Sequence, residues 1–214
     1  MQSLESIYHE HHTKRRGEFF IVNGEARGRF LKERVGKGRR VLDIGCRDGA
    51  LTGYYSEGNE VTGIDIDSGA LVRAKEKYGI TVMHADLNGE WSVTPGFTTV
   101  VACEIIEHLY YPEMVFKKIH AVLAPGGVLL GTIPHAFSIQ CRLRYLFATK
   151  KGTPLQDPTH INHFTVRELR TLIEGAGFKN VRIETITAPK WALVSWLFPY
   201  TFAHSLMFSA DKVP

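Results

Sequence analysis

The feature that most constrains this chain is a pair of strand-like runs, with glycines after the first and an acid after the second. The run Val41–Ile44 is followed by Gly45 and Gly49. The run Glu60–Ile64 is followed by Asp65. Glycine allows a tight turn and a close approach to a ligand, and a helix beginning near Gly49 would direct its N–H groups at that ligand. Because a carboxylate at the second strand end can accept hydrogen bonds from both ribose hydroxyls, the pattern predicts a βαβ unit that binds a nucleoside.

Two common nucleotide-binding motifs do not fit this turn. Arg47 stands where the dinucleotide motif G-x-G-x-x-G has its second glycine, and no Gly-Lys-Ser/Thr follows as in a P-loop. The turn instead resembles the first motif of class I S-adenosylmethionine-dependent methyltransferases, an acid two residues before a glycine with another glycine four residues further on. Here these are Asp43, Gly45 and Gly49. Arg47 departs from the family, which more often has a glycine there.

Further segments match the same family in the same order. Asp86 follows the short run Ile80–His84, and in the family the acid at this place reaches the adenine amino group. Phe97–Cys103 has the pattern of a buried strand, and Leu-Ala-Pro-Gly-Gly precedes another, Val128–Ile133. The resemblance implies that S-adenosylmethionine is bound by Asp43, Gly45, Cys46, Gly49, Asp65, Ile66, Asp86, Leu87 and Glu104.

The order of elements predicts a single α/β domain over residues 1–214. Strands are expected at 40–45, 60–65, 80–84, 97–103, 128–133, 178–187 and 205–210. Their alternation with helices is typical of a parallel sheet with right-handed crossovers. The family resemblance implies a Rossmann-like sheet of seven strands, mostly parallel with an antiparallel last strand, and helices on both faces. Residues 1–35 are expected to form N-terminal cap helices over the cofactor pocket.

Composition and charge narrow the setting. With 214 residues, 44% of them hydrophobic, the chain can bury an α/β core without metals or disulfides. Its three cysteines lack metal-ligand spacing and cannot all pair, which predicts a reduced, cytoplasmic location. A net charge of +4 is too small to indicate nucleic acid as a partner. The histidine-rich stretch 9–12 could bind a metal adventitiously, but it is interpreted as a solvated helix face or a frayed helix start.

Two insertions, 134–164 and 189–204, interrupt the core and are expected to determine the acceptor. The first contains a basic and apolar segment, Arg142–Lys151. The second contains an aromatic segment, Trp191–Ala203, which is too short and too interrupted by Pro199 to span a bilayer. These segments fit a lid over an apolar acceptor, a peripheral membrane contact or a dimer face, and equally a simple cover for the sheet edge.

The sequence Glu104-Ile-Ile-Glu107-His108 is the candidate catalytic group. If the chain turns helically after the strand, positions i, i+3 and i+4 meet on one face and bring two carboxylates and an imidazole beside the cofactor. Adjacent carboxylates repel unless a cation or the histidine balances them, so a divalent ion such as Mg²⁺, Mn²⁺ or Zn²⁺ fits the group. Methyl transfer needs mainly an aligned acceptor and a group that takes its proton.

This pattern resembles that of ubiquinone-biosynthesis O-methyltransferases, in the type 11 and type 23 methyltransferase group, and of small-RNA 3′-terminal 2′-O-methyltransferases. In those enzymes two glutamates and the histidine hold a divalent metal. In the RNA enzymes a second histidine completes the site, and its spacing before the next helix selects His160 over His163. The resemblance implies catalytic roles for Glu107, His108 and His160, and a metal set that adds Glu104. Many related small-molecule methyltransferases carry the same pattern with no known metal, the glutamates capping the loop and the histidine packing under the cofactor.

Three functions remain open. The first is an enzyme that O-methylates a small aromatic, lipid or sugar hydroxyl. The second is a metal-dependent RNA 2′-O-methyltransferase, which a strongly basic stripe would support but the sequence lacks. The third is a non-catalytic cofactor-binding partner protein resembling the MetW group. The acidic residues and the histidines after the fifth strand favour an enzyme over the partner protein, and a small-molecule acceptor is the expected partner.

Overall fold

A computed structural model describes residues 3–15, 17–187, 197–198 and 200–214. Its strands are β1 (Arg40–Ile44), β2 (Glu60–Asp65), β3 (Thr81–His84), β4 (Phe97–Cys103), β5 (Leu123–Pro134), β6 (Lys179–Thr187) and β7 (Ala203–Asp211). They form one seven-stranded sheet in the order β3-β2-β1-β4-β5-β7-β6. Strands β1 to β5 pair in parallel, and β7 is antiparallel to both β5 and β6. The predicted mostly parallel sheet is therefore confirmed.

Helices cover both faces of the sheet. They are α1 (Leu4–Arg15), α2 (Gly24–Val35), α3 (Ser68–Tyr78), α4 (Pro112–Val122), α5 (Ile139–Leu146) and α6 (Val166–Gly175). Val101 of β4 is buried in one apolar cluster with Leu31 of α2, and Val100 in another with Phe116 of α4. Successive side chains of a strand point to opposite faces, so the two clusters lie on opposite sides of the sheet. Burial of a side chain such as Phe116 stabilises the fold by roughly 1.5–3 kcal/mol.

The prediction that a helix begins near Gly49 is wrong. The segment forms only a 3₁₀ turn, Thr52–Tyr54. Asp43 accounts for this difference, because its Oδ2 accepts hydrogen bonds from Thr52 Oγ1 at 2.6 Å and from the Tyr55 hydroxyl at 2.5 Å. The two bonds hold the segment tightly against the end of β1, and the chain enters β2 a few residues later. A helix longer than this 3₁₀ turn therefore cannot form here.

Two other boundaries have local causes. Between α1 and α2, Gly17, Phe19 and Asn23 take left-handed φ angles of 66°, 52° and 54°, which no α-helix accommodates. Strand β5 begins at Leu123 rather than 128, because Leu123 already pairs with Phe97 before the Pro-Gly-Gly sequence. The strand predicted from Val128 is thus the inner part of a longer one.

The two insertions differ in how far they are described. The first contains α5 and a 3₁₀ turn, Pro154–Gln156. The aromatic segment predicted at 191–203 lies largely outside the described residues. Across the portion of the chain that is described, none of the helices combines the length and apolar character that crossing a bilayer requires.

Candidate active site

A cavity opens at the carboxyl edge of the sheet, where β1, β2 and β4 end. The predicted cofactor residues that line it are Asp43, Gly45, Cys46, Asp65, Ile66, Asp86, Leu87 and Glu104. Gly49 lies behind the turn instead, where an added Cβ would come within 2.8 Å of the Tyr78 ring. Its role is therefore to let the turn pack against α3 rather than to contact a ligand.

The glycine turn brings backbone close to the cavity. Gly45 has a φ of 73°, and a Cβ there would lie 2.8 Å from the Ile105 side chain. Arg47 follows with a φ of 51°, a conformation that costs glycine less than other residues, which explains why the family more often has glycine here. The Arg47 Nη2 donates to the Gly17 carbonyl oxygen at 2.7 Å and so ties the turn to the segment before α2.

Asp65 is held by backbone on both of its oxygens. Its Oδ2 accepts from the Arg47 N–H at 2.8 Å, and its Oδ1 accepts from the Asp67 N–H at 2.9 Å. Burial raises the pKa of Asp65, and these N–H groups oppose the rise. A carboxylate has about four acceptor positions, so its two oxygens can still receive two ribose hydroxyls.

Asp43 lies one strand away and is turned toward the protein. The hydroxyls of Thr52 and Tyr55 both bond its Oδ2, while burial raises its pKa to about 6. Its bonds fix the 3₁₀ turn that forms part of the cavity wall. We therefore assign it a positioning role in addition to its place in the lining.

The sequence interpretation missed Arg27. This residue of α2 is 3% exposed, lines the cavity, and directs Nη2 to Glu104 Oε1 at 2.9 Å and to Ser205 Oγ at 3.1 Å. Its buried Nε–H has no acceptor in the described part of the chain. The sequence did contain a signal for its burial. Arg27 precedes Phe30 and Leu31 by three and four residues, so on a helix it shares their inward face.

Glu107, His108 and His160 meet in one group. Each offers a ligand atom within 4.8 Å of the others. Glu104 does not join them, so the expected convergence of the whole pattern on one helical face is wrong. The cause is local: Glu104 has a left-handed φ of 53°, and the helical turn begins only at Ile106 as a 3₁₀ turn. The carboxylate of Glu104 points to Arg27 and Thr132 instead.

Backbone carbonyls orient both imidazoles of this group. The Nδ1 of His108 lies 2.8 Å from the Thr159 carbonyl oxygen, and the Nδ1 of His160 lies 3.0 Å from the Pro154 carbonyl oxygen. A carbonyl only accepts, so each Nδ1 carries a proton, and Nε2 is the atom at which either ring can take up a further proton. The backbone oxygen of Glu107 also accepts the N–H groups of residues 161 and 162, which anchors the insertion beside β4.

Helix α1 closes one side of the cavity. Tyr8 is among the residues that line it. The helix is held by His9 Nδ1, 3.0 Å from Asp67 Oδ2, and by His11 Nε2, 3.0 Å from Asp157 Oδ2. The interpretation as a solvated helix face holds for His9, whose side chain is 48% exposed, but is wrong for His11, whose side chain is only 8% exposed and pairs with Asp157. Sequence alone gave no sign of pairs between such distant positions.

Comparison with known proteins identifies the family. The model of a methyltransferase-domain family matches residues 15–183. A probable S-adenosylmethionine-dependent methyltransferase of Mycolicibacterium smegmatis is 29% identical over 144 residues, which cover 66% of this chain and 52% of that protein. The ubiquinone biosynthesis O-methyltransferase of Pseudomonas aeruginosa is 36% identical over 113 residues, 49% of each chain. The chain thus spans about half the length of these curated relatives.

Solved structures share the fold. An S-adenosylmethionine-dependent methyltransferase from Archaeoglobus fulgidus has a TM-score of 0.69 at 19% identity, over 96% of this chain and 99% of that one. One from Mesorhizobium loti has a TM-score of 0.67 at 20% identity, over 89% and 99%. At these identities the likeness establishes the fold. Because the family model covers most of the chain, this protein belongs to the class I S-adenosylmethionine-dependent methyltransferase family.

Proposed function

We propose that this domain binds S-adenosylmethionine and O-methylates a small aromatic, lipid or sugar hydroxyl. The observation that carries the proposal is the double role of His108. It lines the cavity at the ends of β1, β2 and β4, which we call the cofactor cavity. It also belongs to the group formed with Glu107 and His160. An acceptor placed where the cavity meets this group would have acid–base side chains next to its reacting oxygen.

The cavity residues fit the parts of the cofactor. Asp65 presents acceptors for the ribose, Asp86 lines the cavity and offers a carboxylate to the adenine amino group, and Gly45 permits close approach of the backbone. The buried Nε–H of Arg27 suits the carboxylate of the methionine portion. When bound, S-adenosylmethionine supplies a methyl group that is already activated for displacement. The chain must then orient the acceptor and take its proton.

In the simpler version a histidine takes that proton. The Nδ1–H of His108 and of His160 each donates to a carbonyl, so Nε2 is the basic atom of both rings. Glu107 is 2% exposed and lies within the same group. A buried carboxylate next to an imidazole favours the charged ring that forms when the proton arrives.

A divalent ion is the second version. The three ligand atoms within 4.8 Å support it, and so do the carbonyls that hold both rings, because such outer partners are typical of metal-binding histidines. Mg²⁺, Mn²⁺ or Zn²⁺, when bound, would lower the pKa of the acceptor hydroxyl. Glu104 is left out of this proposal, since Arg27 neutralises its charge.

Methyl transfer from radiolabelled S-adenosylmethionine to a panel of hydroxyl-bearing acceptors tests the proposal. If a histidine is the base, His160→Ala lowers the rate about 10²–10⁴-fold and EDTA has no effect. If a metal acts, EDTA abolishes turnover, added metal restores it, and Glu107→Ala loses both metal and activity yet still binds the cofactor. Glu113→Ala, which removes an exposed acid from the first turn of α4, is the matched control and keeps full activity.

The same assay separates the alternatives. Label recovered in RNA would favour the 2′-O-methyltransferase. Cofactor binding without transfer to any acceptor, combined with stimulation of a second enzyme, would favour the MetW-like partner protein. Failure to bind the cofactor at all would contradict all three functions.

The first insertion supports peripheral membrane contact as a further part of the proposal. Leu146 and Phe147, at the end of α5, are 76% and 78% exposed. The basic residues nearby in the chain are Arg142, Arg144, Lys150 and Lys151. Apolar side chains next to basic ones are typical of surfaces that bind anionic lipid. A cytoplasmic location stays a prediction, with which the three free, buried cysteines agree.

A further inference from the structure

A second cavity, of about 260 Å³, lies at the same edge of the sheet as the cofactor cavity. It is enclosed by residues that follow β5, by the first residues of α6 and by residues just before β7. Its polar lining residues are His135, Arg142, Thr165, Arg167, Tyr200 and Thr201. As far as the structure describes the lining, it contains no carboxylate, so the cavity is positively charged.

Two arginines supply that charge. Arg142 Nε donates to the Phe137 carbonyl oxygen at 2.8 Å, which orients the guanidinium plane and leaves its terminal nitrogens as donors. Arg167, the second residue of α6, forms no ion pair with the described residues. The N–H groups of Val166 and Arg167 also have no acceptor inside the helix, while Thr165 caps the N–H of Glu168. Charge and backbone donors therefore favour an anion here.

His135 adds a buried group that lacks a partner. It is 4% exposed, and its Nε2 lies 3.0 Å from the Tyr200 carbonyl oxygen, so Nε2 carries the proton. Its Nδ1 is buried with no hydrogen-bond partner in the described residues. Burial lowers the pKa of His135, and the positive charge of Arg142 adds to this effect, so Nδ1 is an acceptor. A buried acceptor of this kind requires a donor from a ligand or from water.

We propose that this cavity binds an oxyanion that brings its own O–H donor, such as a hydroxylated carboxylate or a protonated phosphate group of the methyl acceptor. The two guanidinium groups and the start of α6 balance the negative charge, and the ligand hydroxyl donates to His135 Nδ1. The link to the methyl acceptor rests on the proposed function, and its structural support is that both cavities lie at the same edge of the sheet.

Heteronuclear NMR titration of the whole chain with inorganic phosphate, at pH 7.5 and constant ionic strength, tests the site. Phosphate has an O–H donor and sulfate has none at this pH, so sulfate is the paired probe. We expect saturable shifts at the His135 ring and at the amides of Val166 and Arg167, with sulfate about tenfold weaker. Glycolate and acetate repeat the comparison for a carboxylate with and without a neighbouring hydroxyl.

Arg142→Gln and Arg167→Gln should each weaken phosphate binding about tenfold or more. Arg144→Gln removes the same charge from the same helix outside the cavity lining and should leave phosphate affinity unchanged. Shifts that do not saturate, or that the first two variants leave unchanged, overturn the site. Equal affinity for phosphate and sulfate overturns the role of His135. Calorimetry with S-adenosylhomocysteine on the same samples tests the cofactor cavity independently, so failure there contradicts the proposed function and not the anion site.

Discussion

Arg27 and Glu104 form an ion pair at the wall of the cofactor cavity, with Arg27 Nη2 2.9 Å from Glu104 Oε1. The pair joins α2 to the residue that follows β4. The Glu104 side chain is 21% exposed and also accepts from Thr132 Oγ1 at 3.1 Å. Arg27 balances the charge of Glu104, so Glu104 does not require a metal ion as a counter-charge. The repulsion between Glu104 and Glu107 that the sequence suggested is thereby removed.

Removal of one partner should expose the strength of this pair. Arg27→Met leaves the Glu104 carboxylate without its counter-ion, and we expect a loss of about 3 kcal/mol in the free energy of unfolding, measured with urea. Adding Glu104→Gln should recover part of that loss. Arg34→Met is the control, because Arg34 pairs with Glu184 on the exposed side of the same helix and should cost under about 1 kcal/mol. Equal losses for the two arginines would contradict the prediction.

Asp65→Ala should weaken the binding of S-adenosylmethionine by roughly 1–3 kcal/mol, because two charged hydrogen bonds to the ribose are lost. Isothermal titration calorimetry measures the affinity, and circular dichroism checks that the variant is folded. Glu60→Ala, at the exposed start of the same strand, should bind with the affinity of the unchanged protein. An Asp65→Ala variant that is folded and binds equally well would remove Asp65 from the cofactor site.

Asp43 should make stability depend on pH. Burial raises its pKa from 3.8 to about 6. A carboxyl with a raised pKa in the folded state holds its proton more tightly there, so its contribution to stability is present at low pH and is lost as pH rises from about 4 to about 6. At about 1.36 kcal/mol per pKa unit, the change is on the order of 3 kcal/mol.

Asp43→Asn tests this dependence, since asparagine is neutral throughout and its oxygen can still accept from Thr52 and Tyr55. Urea unfolding of both proteins at pH 4.5 and pH 7 gives the comparison. Relative to the variant, the unchanged protein should lose stability between the two pH values. A difference between the proteins that stays constant with pH would contradict the raised pKa.

Membrane contact should depend on the end of α5. Flotation with vesicles that contain anionic lipid should retain part of the protein at low salt. Retention should fall when Leu146 and Phe147 are changed to serine, and also when the neighbouring basic residues are neutralised. Val72→Ser is the control, because Val72 is an exposed apolar residue on α3. If the protein fails to float at low salt, the first insertion acts only as a lid or an interface.

Local patterns predicted the sheet well, because the signals that end its first strands lie within their own segments, such as Gly45 after β1 and Asp65 at the end of β2. The site was harder to predict where its geometry depends on backbone conformation or on distant partners. Nothing near Glu104 in the sequence indicates a left-handed φ, which turns its carboxylate away from Glu107. His11 and Asp157 are 146 positions apart, so their pairing follows only from the folded chain.

The contacts of α1 predict that this helix controls cofactor release. It covers the cavity through Tyr8 and is held there by His9 with Asp67 and His11 with Asp157. The His9 pair is half-exposed on the histidine side, whereas the His11 pair is largely buried and so holds the helix more firmly. The double change of both histidines to alanine should raise the dissociation rate of S-adenosylmethionine about threefold to tenfold or more.

Stopped-flow displacement of bound S-adenosylmethionine by excess S-adenosylhomocysteine, followed by tryptophan fluorescence, measures the dissociation rate. The free energy of unfolding should fall only by the contribution of the two lost hydrogen bonds, because both apolar clusters of the sheet keep all their side chains. His204→Ala removes an exposed histidine from β7 and should leave the rate unchanged. A double variant that releases the cofactor at the original rate would show that the two histidine pairs do not slow release. Helix α1 would then contribute to the cavity wall without controlling release.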